Sequence, residues 1–88
     1  MGKAQDELKH QVQRGLDELR RLRDEIRLEI HLGSMEAKEK WEELEPRIRD
    51  VETIAKDISI ASRRAVQEVV DSLRRFRESL SPPHHPPR

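Results

Sequence analysis

Residues 41–70 read WEELEPRIRD VETIAKDISI ASRRAVQEVV, and the fold turns on this stretch. Trp41, Leu44, Ile48, Val51, Ala55, Ile58, Ser62, Ala65 and Val69 follow one another in alternating steps of three and four. Such steps return a side chain to the same side of an α-helix, so the nine positions form one stripe. Held over more than three heptads, a stripe of this kind is a coiled-coil seam. Leu73, Phe76 and Leu80 carry it onward, and the spacing predicts a helix over about 34–80. Beyond Ser62 the apolar face widens, because Val66 and Val70 join Val69 and Leu73. A wide face belongs to a bundle of three or four helices and not to a two-stranded seam.

Pro46 interrupts this segment. Inside a helix it removes one backbone hydrogen bond at a cost of about 3 kcal/mol. It falls at the outermost heptad position. Either the helix kinks there, or a new helix begins with Pro46 in its first turn. The unbroken heptad phase favours the kink.

Upstream, Leu8, Val12, Leu16, Leu19, Leu22, Ile26 and Ile30 recur every three or four residues. They predict a first helix over about 4–32. Asp17–Arg21, Arg20–Asp24 and Arg21–Glu25 stand four apart on its outer side, a spacing worth roughly 0.2–0.5 kcal/mol per pair. Gly15 lies beside the stripe and costs about 1 kcal/mol against Ala, and its lack of a side chain admits the backbone of a partner. Residues 26–32 alternate apolar and polar, which in isolation is a strand pattern. A lone strand has no neighbour to pair with, and Ile26 and Ile30 continue the helical stripe, so helix is the better reading. Leu28 and Leu32 then form a second ridge, as on a helix with two neighbours.

Gly33-Ser34 is the first break. Gly suits a left-handed residue closing a helix, and Ser suits the cap opening the next. A turn here makes a helical hairpin. The alternative is one continuous helix with a stutter, since Ile26, Ile30, Ser34, Ala37 and Trp41 step by four, four, three and four. The chain closes in SPPHHPPR, residues 81–88, whose four prolines forbid helix and sheet. The composition predicts a disordered or polyproline tail.

The composition narrows the function. Of 88 residues, 41% are charged, 33% are hydrophobic and 2% are aromatic, which is thin for a solitary globule of one domain. Zero cysteines excludes a disulfide scaffold, a Cys-ligated zinc site and a thiol nucleophile. No signal-like or membrane-spanning run is present, so the expected location is cytoplasmic. Arginines outnumber lysines 13 to 5, a bias that hints at a GC-rich genome, and the segment from Leu22 to Ile48 reads like part of a small bacterial helical protein. The net charge is zero but unevenly spread. Residues 36–52 hold four basic and seven acidic side chains, a balance of −3. Residues 53–88 hold seven basic and four acidic, a balance of +3. Opposed charge of this kind favours staggered or antiparallel pairing of copies.

Candidate chemistry is sparse. Glu7 and His10 match the Glu-x-x-His spacing of di-iron bundles, which needs further inward carboxylates, and both flank Leu8 toward water. His84-His85 is half of a metal site at most. His31 sits between apolar residues and reads as a partly buried boundary histidine. No phosphate loop and no nucleophile–base pair is present, so neither an enzyme nor a cofactor or metal is expected. Arg63, Arg64, Arg74 and Arg75 suggest a stripe for nucleic-acid phosphates, diluted by Glu68, Asp71 and Glu78.

The expected fold is all-α: a coiled-coil hairpin that self-associates into a bundle. Its arms of about 29 and 47 residues would be roughly 43 and 70 Å long, leaving Val66 to Leu80 unpaired and covered by another copy. The expected oligomer core is Leu19, Leu22, Ile26, Ile30, Trp41, Leu44, Ile48, Val51, Ile58, Val66, Val69, Val70, Leu73 and Phe76. The expected function is a non-enzymatic interaction module, a scaffold, adaptor or small regulatory protein. Its partner would be a second copy in a dimer or higher bundle, or another helical protein. The alternatives are a nucleoid or nucleic-acid-associated protein and an amphipathic helix lying on a membrane surface.

Overall fold

The computed structural model describes residues 3–80, with side chains from residue 6 onward. They form three α-helices: α1 (Lys3–Ile30), α2 (Met35–Ile54) and α3 (Ile60–Leu80). No strand occurs among the described residues. The helices pack as an all-α bundle. Arg20 reaches Glu52 and Arg27 reaches Glu45, so α1 and α2 run antiparallel. Gln11 accepts from Arg63 and Glu25 from Arg77, so α3 returns parallel to α1. The α1–α3 seam is the most extensive of the three.

The first turn falls near Gly33-Ser34, as the hairpin reading requires. The Leu32 N–H donates to Glu29 O at 3.0 Å, and the Gly33 N–H to Ile30 O at 3.0 Å. Ser34 then caps α2: its Oγ accepts from the Ala37 N–H at 3.1 Å. Gly33 is not left-handed, because no described residue has a positive φ. Its smallness serves packing instead, since an added Cβ would lie 3.3 Å from Ile30 O and 3.4 Å from Ala37 Cβ. Helix α2 runs unbroken through Pro46, whose missing N–H falls on the exposed face.

The expected helix over 34–80 is in fact two helices. Helix α2 ends where the Ala55 N–H donates to Val51 O at 2.8 Å, and the Lys56 and Asp57 N–H groups bond Thr53 O and Ile54 O. Ser59 then opens α3 through reciprocal bonds. The Ser62 N–H donates to Ser59 Oγ at 3.0 Å, and the Ser59 N–H donates to Ser62 Oγ at 2.9 Å. This is a capping box with Ser in the place usually held by Glu or Gln. The Ser62 hydroxyl donates on to Ser59 O at 2.9 Å, so a fully buried hydroxyl is satisfied. The stripe survives the reversal because the turn keeps Ala55 and Ser62 buried and Ile58 half-buried.

The reversal folds α3 back on α1 and α2. Val66, Val69, Val70, Leu73 and Phe76 join Val12, Leu19, Leu22, Ile26 and Ile30 from α1 and Trp41, Leu44, Ile48, Val51 and Ala55 near α2 in one core. Each fully buried Leu, Ile or Val contributes about 1.5–3 kcal/mol against exposure. The Trp41 and Phe76 rings stack with centroids 6.1 Å apart and planes 9° apart. The strip Val66 to Leu80, expected to need a second copy, is thus covered within the chain. The short α2 makes this possible: a 47-residue arm cannot be matched by α1, but arms of 20 and 21 residues can.

Candidate functional site

The fourteen side chains expected at an oligomer core are taken up by the chain's own bundle. All are buried except Ile58, which is half-buried. Gly15 does admit a close neighbour, but the neighbour is Val66 of α3 in the same chain. What remains open to a partner lies elsewhere.

One apolar corner stands out. Leu28 is 73% exposed, Leu32 92% and Met35 74%. Leu28 lies in the last turn of α1, Leu32 in the turn that follows it, and Met35 opens α2. The expected contact of this ridge with a second helix is therefore absent. The reason is local: α1 ends at Ile30 and the chain turns toward the Ile26–Ile30 face, which leaves the Leu28 side uncovered. Around the corner lie Glu29, His31, Glu36 and Lys38, all exposed. His31 is thus a surface residue and not a boundary one. Two smaller apolar exposures, Ile54 at 47% and Ile60 at 61%, flank the opposite turn.

Charge is organised between helices. Among the described residues, none of the expected four-apart pairs of α1 comes within 4.0 Å. Arg20 donates to Glu52 at 3.3 Å, and Arg27 to Glu45 at 3.1 Å. Across the other seam Arg74 pairs with Glu18 and Arg77 with Glu25. Glu18 holds the Arg74 guanidinium above its ordinary value, first by the hydrogen bond and then by its charge. Solvent screens exposed pairs such as these, so they set register more than stability. They also thin the basic stripe of α3. Arg63 is engaged by Gln11 at 2.8 Å and Arg74 by Glu18, leaving Arg64 and Arg75 of the four.

The remaining candidates are weak. Glu7 and His10 are both exposed, and among the described residues no group of three metal-ligating side chains converges. His84-His85 and the proline-rich tail lie outside the described residues. No helix among the described residues is long and apolar enough to cross a membrane. Comparison with protein-family models, curated proteins and solved structures finds no match to the chain.

Proposed function

We propose that the protein is a non-enzymatic helical interaction module that pairs with a second copy of itself through the corner of Leu28, Leu32 and Met35. The supporting observation is the exposure of these three side chains, which are more exposed than any other large apolar group among the described residues. Clustered apolar exposure of this kind is characteristic of contact surfaces. The rim supports self-pairing, since Glu29 and Glu36 stand with Lys38 and His31. A two-fold axis places the same patch on both sides and lets acid meet base. The module holds its own core and offers one adhesive corner, which suits a scaffold, adaptor or small regulatory subunit.

Sedimentation velocity tests this reading. The wild-type chain is expected to sediment faster as concentration rises. Leu28→Ser combined with Leu32→Ser is expected to abolish that rise and leave helicity unchanged. A wild-type chain that stays monomeric at every concentration contradicts the reading, as does a double variant that still associates.

A further inference from the structure

The two flanks of α2 carry opposite charge. Glu45 and Glu52 face α1 and meet Arg20, Arg23 and Arg27. Lys40 and Arg47, one heptad apart, lie on the flank toward α3, which places Arg75 opposite them. These three cations line one surface cleft of about 300 Å³. No carboxylate lines it. Among the described residues, none of the three has an Asp or Glu oxygen within 4.0 Å. None of the acids within four residues of them in sequence, Asp71 and Glu78 beside Arg75 included, lines its walls. The α1 seams are charge-matched; the α2–α3 seam gathers like charges with no ion pair across it among the described residues.

The floor of the cleft is apolar, formed by Leu44 and Phe76, each 8% exposed. Two hydroxyls border it. Ser79 Oγ already donates to Phe76 O at 2.7 Å, so Ser72 is the one with its proton available among the described residues.

We propose that this cleft binds a phosphate monoester group carried on a ligand with a short apolar arm. A phosphate monoester carries about −1.5 to −2 charges at neutral pH and three acceptor oxygens. Two guanidinium forks, one ammonium and one hydroxyl match that demand. A lone carboxylate leaves two of the three cations unmatched. The apolar arm lies on Leu44 and Phe76, and a cleft of this volume suits a small ligand. None of its lining residues belongs to the Leu28 corner, although Lys40, Phe76 and Ser79 also border the neighbouring pocket that Leu32 lines.

Titration of the ¹⁵N-labelled full chain, followed by amide shifts, tests the proposal. The probes are inorganic phosphate, hexyl phosphate, and phosphatidylcholine vesicles containing either phosphatidic acid or an equal charge of phosphatidylglycerol. Hexyl phosphate is expected to give saturable shifts centred on Ser72, Arg75 and Phe76. It should bind about tenfold more tightly than inorganic phosphate, the effect of roughly two buried methylenes. Arg47→Gln and Arg75→Gln should each weaken it about tenfold, without lowering the melting temperature, because each relieves crowding of like charge. Arg64→Gln, outside the cleft, should bind as wild type. Binding of the soluble phosphates supports a metabolite; binding confined to phosphatidic acid vesicles supports a lipid headgroup. The proposal is overturned if no probe gives saturable shifts, if Arg75→Gln binds as wild type, or if the vesicles bind alike with no soluble binding.

Discussion

Gly15 and Val66 meet across the α1–α3 seam so closely that a Cβ on Gly15 would stand 2.5 Å from Val66 Cγ1. The contact explains a glycine in the middle of a 28-residue helix. On an isolated helix, Gly15→Ala gains about 1 kcal/mol of propensity. Here the β-branched Val66 has no flexible end to move aside, and it is buried at 2% exposure. Gly15→Ala is therefore expected to destabilise the chain by about 1–3 kcal/mol in urea unfolding. Val66→Ala in the same chain should recover much of that loss, giving a favourable coupling between the two sites.

The Trp41–Phe76 stack joins the start of α2 to the end of α3. Trp41→Ala is expected to cost about 3–5 kcal/mol. A double-mutant cycle of Trp41→Leu with Phe76→Leu should isolate a coupling of about 0.5–1.5 kcal/mol for the stacked pair. A coupling of zero would show that the rings contribute burial and no mutual geometry.

The second reversal depends on Ser59. Ser59→Ala should cost about 1 kcal/mol, whereas Ser59→Gly should cost only a few tenths. Chemical denaturation of the two variants distinguishes a cap from general packing, under which the smaller glycine would be the more harmful.

Pro46 leaves the Glu42 carbonyl without its intrahelical donor in a helix that otherwise runs unbroken. Pro46→Ala restores the N–H at an exposed position. The melting temperature is expected to rise, with a gain of up to about 3 kcal/mol. No gain would mean that the proline's fixed φ offsets the lost hydrogen bond at this position.

The buried faces were legible in the sequence because helical burial has a period. Leu19, Leu22, Ile26 and Ile30 on α1, and Trp41, Leu44, Ile48 and Val51 on α2, occupy the core that their spacing implied. The reversal at 55–59 was masked for the same reason. Ala55, Ile58 and Ser62 keep steps of three and four through the turn, so a period alone cannot separate a straight helix from a folded one. The available signal was Ser59-x-x-Ser62 after Lys56-Asp57, a cap written in small residues that also fit a close coiled-coil seam. Once that turn is missed, α3 has no cover in its own chain, and a second copy has to be invoked. The exposed corner was misread through the same limit: Leu28 and Leu32 have the spacing of a contact ridge, and only the path after Ile30 leaves them bare. The cationic cleft was not legible, since it depends on which flank of α2 faces α3.

The central claim is that one chain completes its own core by returning α3 to α1. The most direct measurement is the nuclear Overhauser contact between the Val66 methyls and the Gly15 Hα protons. It should be recorded on a uniformly labelled sample and on an equal mixture of labelled and unlabelled chains, filtered for contacts between chains. The account predicts a strong contact in the first experiment and none in the second. A contact that appears only between chains would show that α3 is exchanged with another copy, and would contradict the account.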